Sequence, residues 1–307
     1  MLSIVIPVFQ AEHSIRKLVQ EIKSIFSQEK IEIILVNDCS PDSSHIECLK
    51  TYDDFSDLIT YIKLAKNMGE HNAVMAGLNY ANGDWVIIMD DDFQNPPGEA
   101  LKLFKYSKES SFDIVYGNYK KNKKHSFFRN FISSVNDKTA NWILNKPKNI
   151  YLSSFKCINK KLIKHLISYK GPFPYIDGLI LSNTSNIGSL EIEHDERASG
   201  NSGYTLLKLL KLYGNLFTNF STIPIHFFSV SGIIITLVGF IFGLFVVIEK
   251  LLNPEVPAGY SSILSIVLFF SGIQLMFLGL IGEYVGKILK NVNRENQFLI
   301  DTIKEKK

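Results

Sequence analysis

The stretch Trp85-Val86-Ile87-Ile88-Met89-Asp90-Asp91-Asp92-Phe93-Gln94-Asn95-Pro96-Pro97 decides how this chain is read. A short apolar run rich in β-branched residues marks a buried strand, and three consecutive carboxylates close it. Adjacent carboxylates in such a place repel one another and are poorly solvated unless a cation joins them. Asp90 and Asp92 can both approach one hard divalent ion. Mg²⁺ or Mn²⁺ accepts such oxygens and keeps positions open for phosphate oxygens. The plainer alternative is an acidic cap on a helix that begins at Pro96-Pro97.

Upstream, the pattern repeats. Leu2-Ser3-Ile4-Val5-Ile6-Pro7-Val8 is apolar but short and lacks a basic leader, so it reads as a strand and not as a signal peptide. Further strands are expected at Ile31–Val36, Leu58–Leu64, Trp85–Met89 and Asp113–Tyr116, with helical periods at about 13–28, 42–55, 71–82 and 97–110. Strands alternating with helices of that length predict a mostly parallel α/β sheet, which binds ligands at the carboxyl ends of its strands. The second strand delivers Asn37, Asp38 and Asp42 to the same edge as the acidic triplet. Asp38 is placed to accept hydrogen bonds from a base or ribose, Glu12 lies beside it, and Asp42 suits an Asx-turn before the next helix. No glycine-rich loop follows the first strand, which argues against a nicotinamide or ATP site and leaves a metal as the anchor for a diphosphate.

The whole chain has 307 residues, 46% of them hydrophobic, and Lys+Arg 33 against Asp+Glu 30 leaves a net charge of only +3. Such a balance gives no case for nucleic acid. Cys39, Cys48 and Cys157 are too scattered for a disulfide framework or a zinc site and read as small buried hydrophobes in a reducing compartment. The apolar residues are unevenly spread. Between Lys211 and Glu249 the only titratable side chains are Tyr213 and His226, and Val256 to Gly282 carries no acid or base. Both stretches exceed the ~20 residues that cross a bilayer.

Before the first span, Tyr204 to Tyr213 puts leucines on one face and Lys208 and Lys211 on the other, which predicts an amphipathic helix in the membrane interface. Lysines and Arg294 flank the outer ends of both spans while the connecting loop is poor in them, so both termini are expected in the cytoplasm. The expected organisation is a cytosolic domain over 1–200, the interfacial helix over 201–222, and a transmembrane hairpin over 223–285 with spans at about 223–248 and 257–282. A cytosolic C-terminal tail helix over 286–307 completes it. The basic run from Lys120 to Lys138 is either a solvated surface or a patch facing headgroups or phosphate. Small residues in both spans would allow close helix packing or a homo-oligomer.

The set Ile6-Pro7-Val8-Phe9, Val36-Asn37-Asp38, Asn67-Met68-Gly69, Ala76-Gly77-Leu78, Gly83-Asp84 and Asp90-Asp91-Asp92-Phe93-Gln94-Asn95-Pro96-Pro97 resembles family 2 glycosyltransferases of the GT-A fold. Arg197-Ala198-Ser199-Gly200-Asn201-Ser202-Gly203-Tyr204, the leucine-rich helix and Gly279-Leu280-Ile281-Gly282-Glu283-Tyr284 extend the resemblance to polyprenyl-phosphate glycosyltransferases. Within these it is similar to the bacterial undecaprenyl-phosphate glucosyl and formamido-arabinosyl transferases and, more distantly, to dolichyl-phosphate mannose synthase.

The resemblance implies that Pro7, Val8, Glu12, Asp38, Asp90 and Asp91 line the nucleotide and donor site. Asp90 and Asp92 would hold Mg²⁺ or Mn²⁺. Asp92, Gln94 and Arg197 would act on the reacting groups, with Gln94 near the donor sugar, and Arg129, Ser202 and Tyr204 would serve the acceptor phosphate. The implied partners are a UDP-linked nucleotide sugar, undecaprenyl phosphate, the inner membrane of a bacterium, a second copy of the chain and a lipid-sugar flippase. The implied reaction is inverting transfer of one sugar, giving a lipid-phosphate sugar for envelope or lipopolysaccharide modification.

Three departures bear on this. Glu70 stands where the family usually has Lys or Gln, Gly203 where many members have Lys, and Ser154-Phe155-Lys156 where many have Asp-Phe-Arg. The missing Asp is tolerable because a phosphomonoester acceptor, with a second pKa of about 6, is already a nucleophile at neutral pH. The alternatives are transfer to another lipid-linked acceptor and a non-catalytic nucleotide-sugar-binding scaffold. A processive synthase is disfavoured because neither Trp85 nor Trp142 follows an Arg.

Overall fold

The computed structural model describes residues 1–119, 150–193, scattered positions between 230 and 252, 259–293 and 296–306. Two compact units emerge: Met1–Gly203 together with Arg294–Lys307, and Tyr204–Asn293.

The first unit is built on one eight-stranded sheet. Its strands are β1 (Leu2–Val8), β2 (Ile31–Asn37), β3 (Ile59–Leu64), β4 (Trp85–Ile88), β5 (Ile114–Tyr119), β6 (Lys156–Asn159), β7 (Ile187–Ile192) and β8 (Ile300–Lys304), in the order β7-β5-β6-β4-β1-β2-β3-β8. The β4-β1-β2-β3 block is parallel, as the alternation of strands and helices predicts. The first four strands and the helices α1 (Ile15–Ile25), α2 (Ser44–Asp54), α3 (Glu70–Tyr80) and α4 (Pro97–Glu109) fall within a few residues of the expected positions. Helices α5 (Lys160–Leu166) and α6 (Ile176–Asn183) complete the unit.

Strand side chains alternate between two cores. Ile4, Ile6, Ile33 and Leu35 pack with α1, α2 and α4 on one face, while Val5, Ile34, Val36 and Ile62 pack with α3, α5 and α6 on the other. The strands read as continuous apolar runs because both faces are covered. On the second face α3 lies almost against the strands: a Cβ on Gly77 would collide with Val5 Cγ1.

Strand β6 breaks the parallel order. It runs antiparallel to β4, with Ile88 opposite Lys156, and so carries Ser154 to the end of β4 where the acidic triplet begins. Lys156 turns the other way, into the second core. It forms an ion pair with Asp177, whose Oδ1 also accepts the Tyr116 hydroxyl at 2.8 Å, and its Nζ lies 5.1 Å from the Tyr116 ring centroid.

The tail corrects one expectation. The final helix α7 (Tyr260–Val292) ends inside the 286–307 segment read as helical, and Ile300–Lys304 is strand β8, antiparallel to β3. The charged, lysine-rich tail has helical propensity, but the unpaired edge of β3 offers a ladder, and packing overrides propensity. The first unit therefore does not stop near residue 200; it also takes in Arg294–Lys307.

In the second unit, α7 contains one segment, Phe270–Val292, that is long and apolar enough to cross a membrane. Several of its described apolar side chains, among them Leu275, Leu278, Ile281 and Val285, are exposed. Described positions between 230 and 252 are helical. The interfacial helix expected at 201–222 lies outside the described residues.

Lys156 and Asp177 test the second core. Breaking a buried ion pair leaves an uncompensated charge, so Lys156→Met is expected to destabilise the first unit by about 3–5 kcal/mol. Combining it with Asp177→Leu should recover most of that loss, as read by denaturant unfolding of the detergent-solubilised protein.

Candidate active site

The carboxyl ends of β1, β2 and β4 meet at the switch point of the sheet, where α/β proteins bind ligands. A cleft of about 290 Å³ opens there, lined by Pro7, Val8, Phe9, Asp38, Asn67, Gly69, Glu70, Asp90, Asp91 and Asp92. Of the expected donor-site residues the structure thus brings together Pro7, Val8, Asp38, Asp90, Asp91 and Asp92. None of these described wall residues is basic.

Each carboxylate is held differently. Asp91 turns towards β1, where its Oδ2 accepts the Phe9 N–H at 3.0 Å and ties the end of β4 to the end of β1. Burial, opposed by that bond and reinforced by Asp90 and Asp92, pushes its pKa up to about 7. Asp90 Oδ2 accepts the Ser154 hydroxyl at 2.7 Å and, more weakly, Asn95 Nδ2 at 3.4 Å. Asp92 Oδ1 accepts the Gln94 N–H at 3.0 Å, closing a tight turn over Phe93. Glu70, at the start of α3, has its carboxyl raised to about 7 by desolvation first and by the Asp90 charge second, although the side chain stays accessible from the cleft.

Asp38 departs from the simple ribose-binding picture. Its two oxygens accept the Met68 and Gly69 N–H groups at 2.7 and 2.8 Å. The carboxylate clamps the loop after β3, and Gly69 at φ 89 supplies a backbone conformation that a side chain would strain. Burial, outweighing those two bonds, raises the Asp38 pKa. Spare lone pairs remain for a ligand, since a carboxylate has about four acceptor sites.

Backbone strain marks the same edge. Gln10, Cys39 and Phe93 have φ of 58, 52 and 62, and they follow Phe9, Asp38 and Asp92 of the cleft wall. Non-glycine residues in the left-handed region cost of order 1–3 kcal/mol each and gather at functional sites.

Two expected residues lie outside the wall. Glu12 Oε2 accepts the Ser43 N–H at 2.9 Å at the start of α2, a capping arrangement, and Gln94 contributes its backbone to the Asp92 turn. Asp42 forms the expected local turn, accepting the Ser44 N–H at 3.2 Å. Arg129, Arg197, Ser202 and Tyr204 lie outside the described residues. Reading from the sequence missed Ser154 as a partner of Asp90: only the antiparallel return of β6, absent from any local motif, brings them together. Asn67, Gly69 and Glu70 entered it only as matches to or departures from the family pattern.

The raised carboxyls set a pH dependence. Asp91 and Glu70 carry pKa values of about 7 when folded, against ~3.9 and ~4.3 in an open chain. Between those limits the folded state binds protons that the unfolded state has released, so stability present at low pH is lost as pH rises through about 7. In EDTA the melting temperature should fall between about pH 5.5 and pH 8, and Asp91→Asn should flatten that fall.

Residues 3–167 match the domain described as Glycosyl transferase family 2. The chain is 32% identical over 288 residues to the Bacillus subtilis protein named uncharacterized glycosyltransferase YkcC, covering 93% of this chain and 88% of that one. It is 32% identical over 307 residues to undecaprenyl-phosphate 4-deoxy-4-formamido-L-arabinose transferase of Serratia proteamaculans, covering 98% and 93%. Among solved structures it is similar in fold to glucosyl-3-phosphoglycerate synthase of Mycobacterium tuberculosis in complex with Mn²⁺, UDP and phosphoglyceric acid. That likeness has a TM-score of 0.54 at 16% identity and covers 71% of this chain and 76% of that one. With a matched domain over more than half its length, an acidic cleft at the switch point and relatives aligned end to end, this chain belongs to glycosyl transferase family 2 and is a glycosyltransferase.

Proposed function

We propose that the protein transfers one sugar, with inversion, from a nucleotide donor to undecaprenyl phosphate at the cytosolic face of a bacterial inner membrane. The observation that carries this reading is the extent of the likeness to the undecaprenyl-phosphate transferases, which runs through the apolar C-terminal third as well as the cleft. A soluble donor and a lipid acceptor can meet only at the headgroup plane. An apolar helix in the same chain supports that placement, and charge asymmetry supports both termini lying in the cytoplasm. The two-span hairpin with its interfacial helix, a homo-oligomer and a flippase that takes the product belong to the same proposal.

The cleft fits a divalent ion. Its described wall residues supply hard carboxylate oxygens and no basic side chain, burial first and the charges of Asp90 and Asp92 second raise Asp91, and buried Asn95 Oδ1 beside Asp90 has no hydrogen-bond partner. Among the described residues no three His, Cys, Asp or Glu side chains are grouped so as to hold a metal ion by themselves, so phosphate oxygens would have to supply the remaining ligands. Asp90 and Asp92 would hold Mg²⁺ or Mn²⁺, which would neutralise charge on the leaving diphosphate.

The chain's own residues do the rest. Pro7, Val8 and Asp38 wall the nucleotide side, and UDP is the proposed nucleotide. Gln94 lies beside the donor sugar, while Arg197 compensates phosphate charge, and Arg129, Ser202 and Tyr204 grip the acceptor. An acceptor phosphate oxygen attacks the anomeric carbon as the bond to the diphosphate breaks, and the nucleoside diphosphate leaves with the electron pair. A phosphomonoester with a second pKa of about 6 is largely a dianion and needs no base. Ser154 is then free to act as a donor that aims Asp90.

The reaction is read by transfer of label from a panel of nucleotide sugars into organic-extractable material. The assay uses membranes holding the protein, undecaprenyl phosphate and Mn²⁺ or Mg²⁺. Mild-acid-labile lipid label is expected, reduced at least about 100-fold by Asp90→Ala or Asp92→Asn, the scale for losing groups that stabilise developing charge. EDTA should abolish it. Label that survives Asp90→Ala would refute the assignment, and label only in another lipid would replace the acceptor.

A further inference from the structure

We propose that the C-terminal strand β8 is a positioning element of the donor site, holding the loop Ala65–Gly69 in its nucleotide-binding form. The idea rests on the reading of the cleft as a nucleoside-diphosphate site.

The loop after β3 supplies Asn67 and Gly69 to the cleft wall. Its far end is fixed by Asp38 through the Met68 and Gly69 N–H groups. Its near end is fixed by the tail: the Ala65 N–H donates to the Leu299 carbonyl at 2.8 Å, just beyond β8. The ladder is regular from Tyr61–Lys304 to Lys63–Thr302 and shifts between Lys63 and Leu64, where the chain turns towards the cleft. Such irregularities re-aim a strand next to functional sites.

The described part of the tail is anchored at several points. Gln297 is buried, and its Nε2 donates to the Gly171 carbonyl at 2.9 Å. Lys63 and Asp301 pair at 2.8 Å, and the Tyr52 hydroxyl donates to the Glu305 carbonyl at 2.8 Å. Lys306 reaches Glu32 Oε2 at 3.1 Å. Burial opposes ionisation of Glu32, but the Ser3 hydroxyl, the Asn82 N–H and Lys306 together hold its carboxyl below the ordinary range. A tail that served only as a linker after α7 would have no need of a buried amide and a buried carboxylate at its two ends. Without β8, Ala65 loses its acceptor, β3 becomes an open edge, and the loop is held at one end only.

Antiparallel geometry provides the test. Successive residues of an edge strand point their N–H groups alternately to the partner and to solvent, so of Thr302→Pro and Ile303→Pro one breaks the ladder and the other does not. Both are made in the full-length, detergent-solubilised protein and probed with UDP and Mn²⁺ by calorimetry. Hydrogen exchange over 59–69 and 296–306, and donor KM and kcat, are read alongside. The ladder-breaking proline is expected to weaken UDP binding at least about tenfold, the scale of re-ordering one or two backbone residues. It should raise donor KM and speed exchange at Ala65–Gly69 while kcat stays within about threefold. The other proline should bind UDP like the parent.

Faster exchange in β8 with unchanged UDP affinity would overturn the proposal, as would equal loss in both variants. Should the ladder-breaking variant not fold, Gln297→Ala decides by the same criterion: released β8 must weaken UDP binding. Failure of the parent to bind UDP would instead refute the nucleotide reading of the cleft.

Discussion

A parallel sheet sends the carboxyl end of every strand to one edge, and in this chain that edge is acidic. The register of β1 against β2 and β4 puts Pro7–Phe9, Asp38 and Asp90–Asp92 around one cleft. Burial first and the neighbouring carboxylates second make ionisation unfavourable there, and both raise the carboxyls of Asp91 and Glu70. Left-handed backbone at Gln10, Cys39 and Phe93 adds strain at the same place. Two apolar layers covering both faces of the sheet offset these costs and hold the edge in shape. A site built this way suits the divalent ion proposed for it.

Within the cleft wall, several carboxylates act on the protein before they act on a ligand. Asp38 clamps a loop, Asp91 ties two strand ends, and Asp92 closes its own turn. Each thereby gives up freedom and gains direction, which is what a preorganised site requires. Asp90 is aimed by Ser154. Serine stands there where many members of the family have Asp, and the proposed phosphate acceptor, already ionised, leaves that position available for orientation.

The tail gives the first unit an unusual boundary. After the apolar helix α7 the chain returns to the sheet, and Ile300–Lys304 pairs with β3. The first unit is therefore closed only once β8 has been made. Edge strands invite pairing, and here the chain covers its own exposed edge.

Much of this was legible in the residues. Apolar runs, helical periods and the acidic triplet gave the parallel block β1–β4, its helices and the cleft residues Asp38 and Asp90–Asp92, because these depend on local pattern and on the rule that strand ends share an edge. Pro7 and Val8 came from the family resemblance. The long uncharged stretches of the last third were equally plain, since hydropathy is a property of composition. Tertiary structure alone decided that Glu12 caps α2, that Lys156 and Asp177 pair in the second core, that Ser154 meets Asp90, and that the tail is a strand. Each of these joins residues far apart in the chain, where partner and burial, and not local propensity, set the outcome.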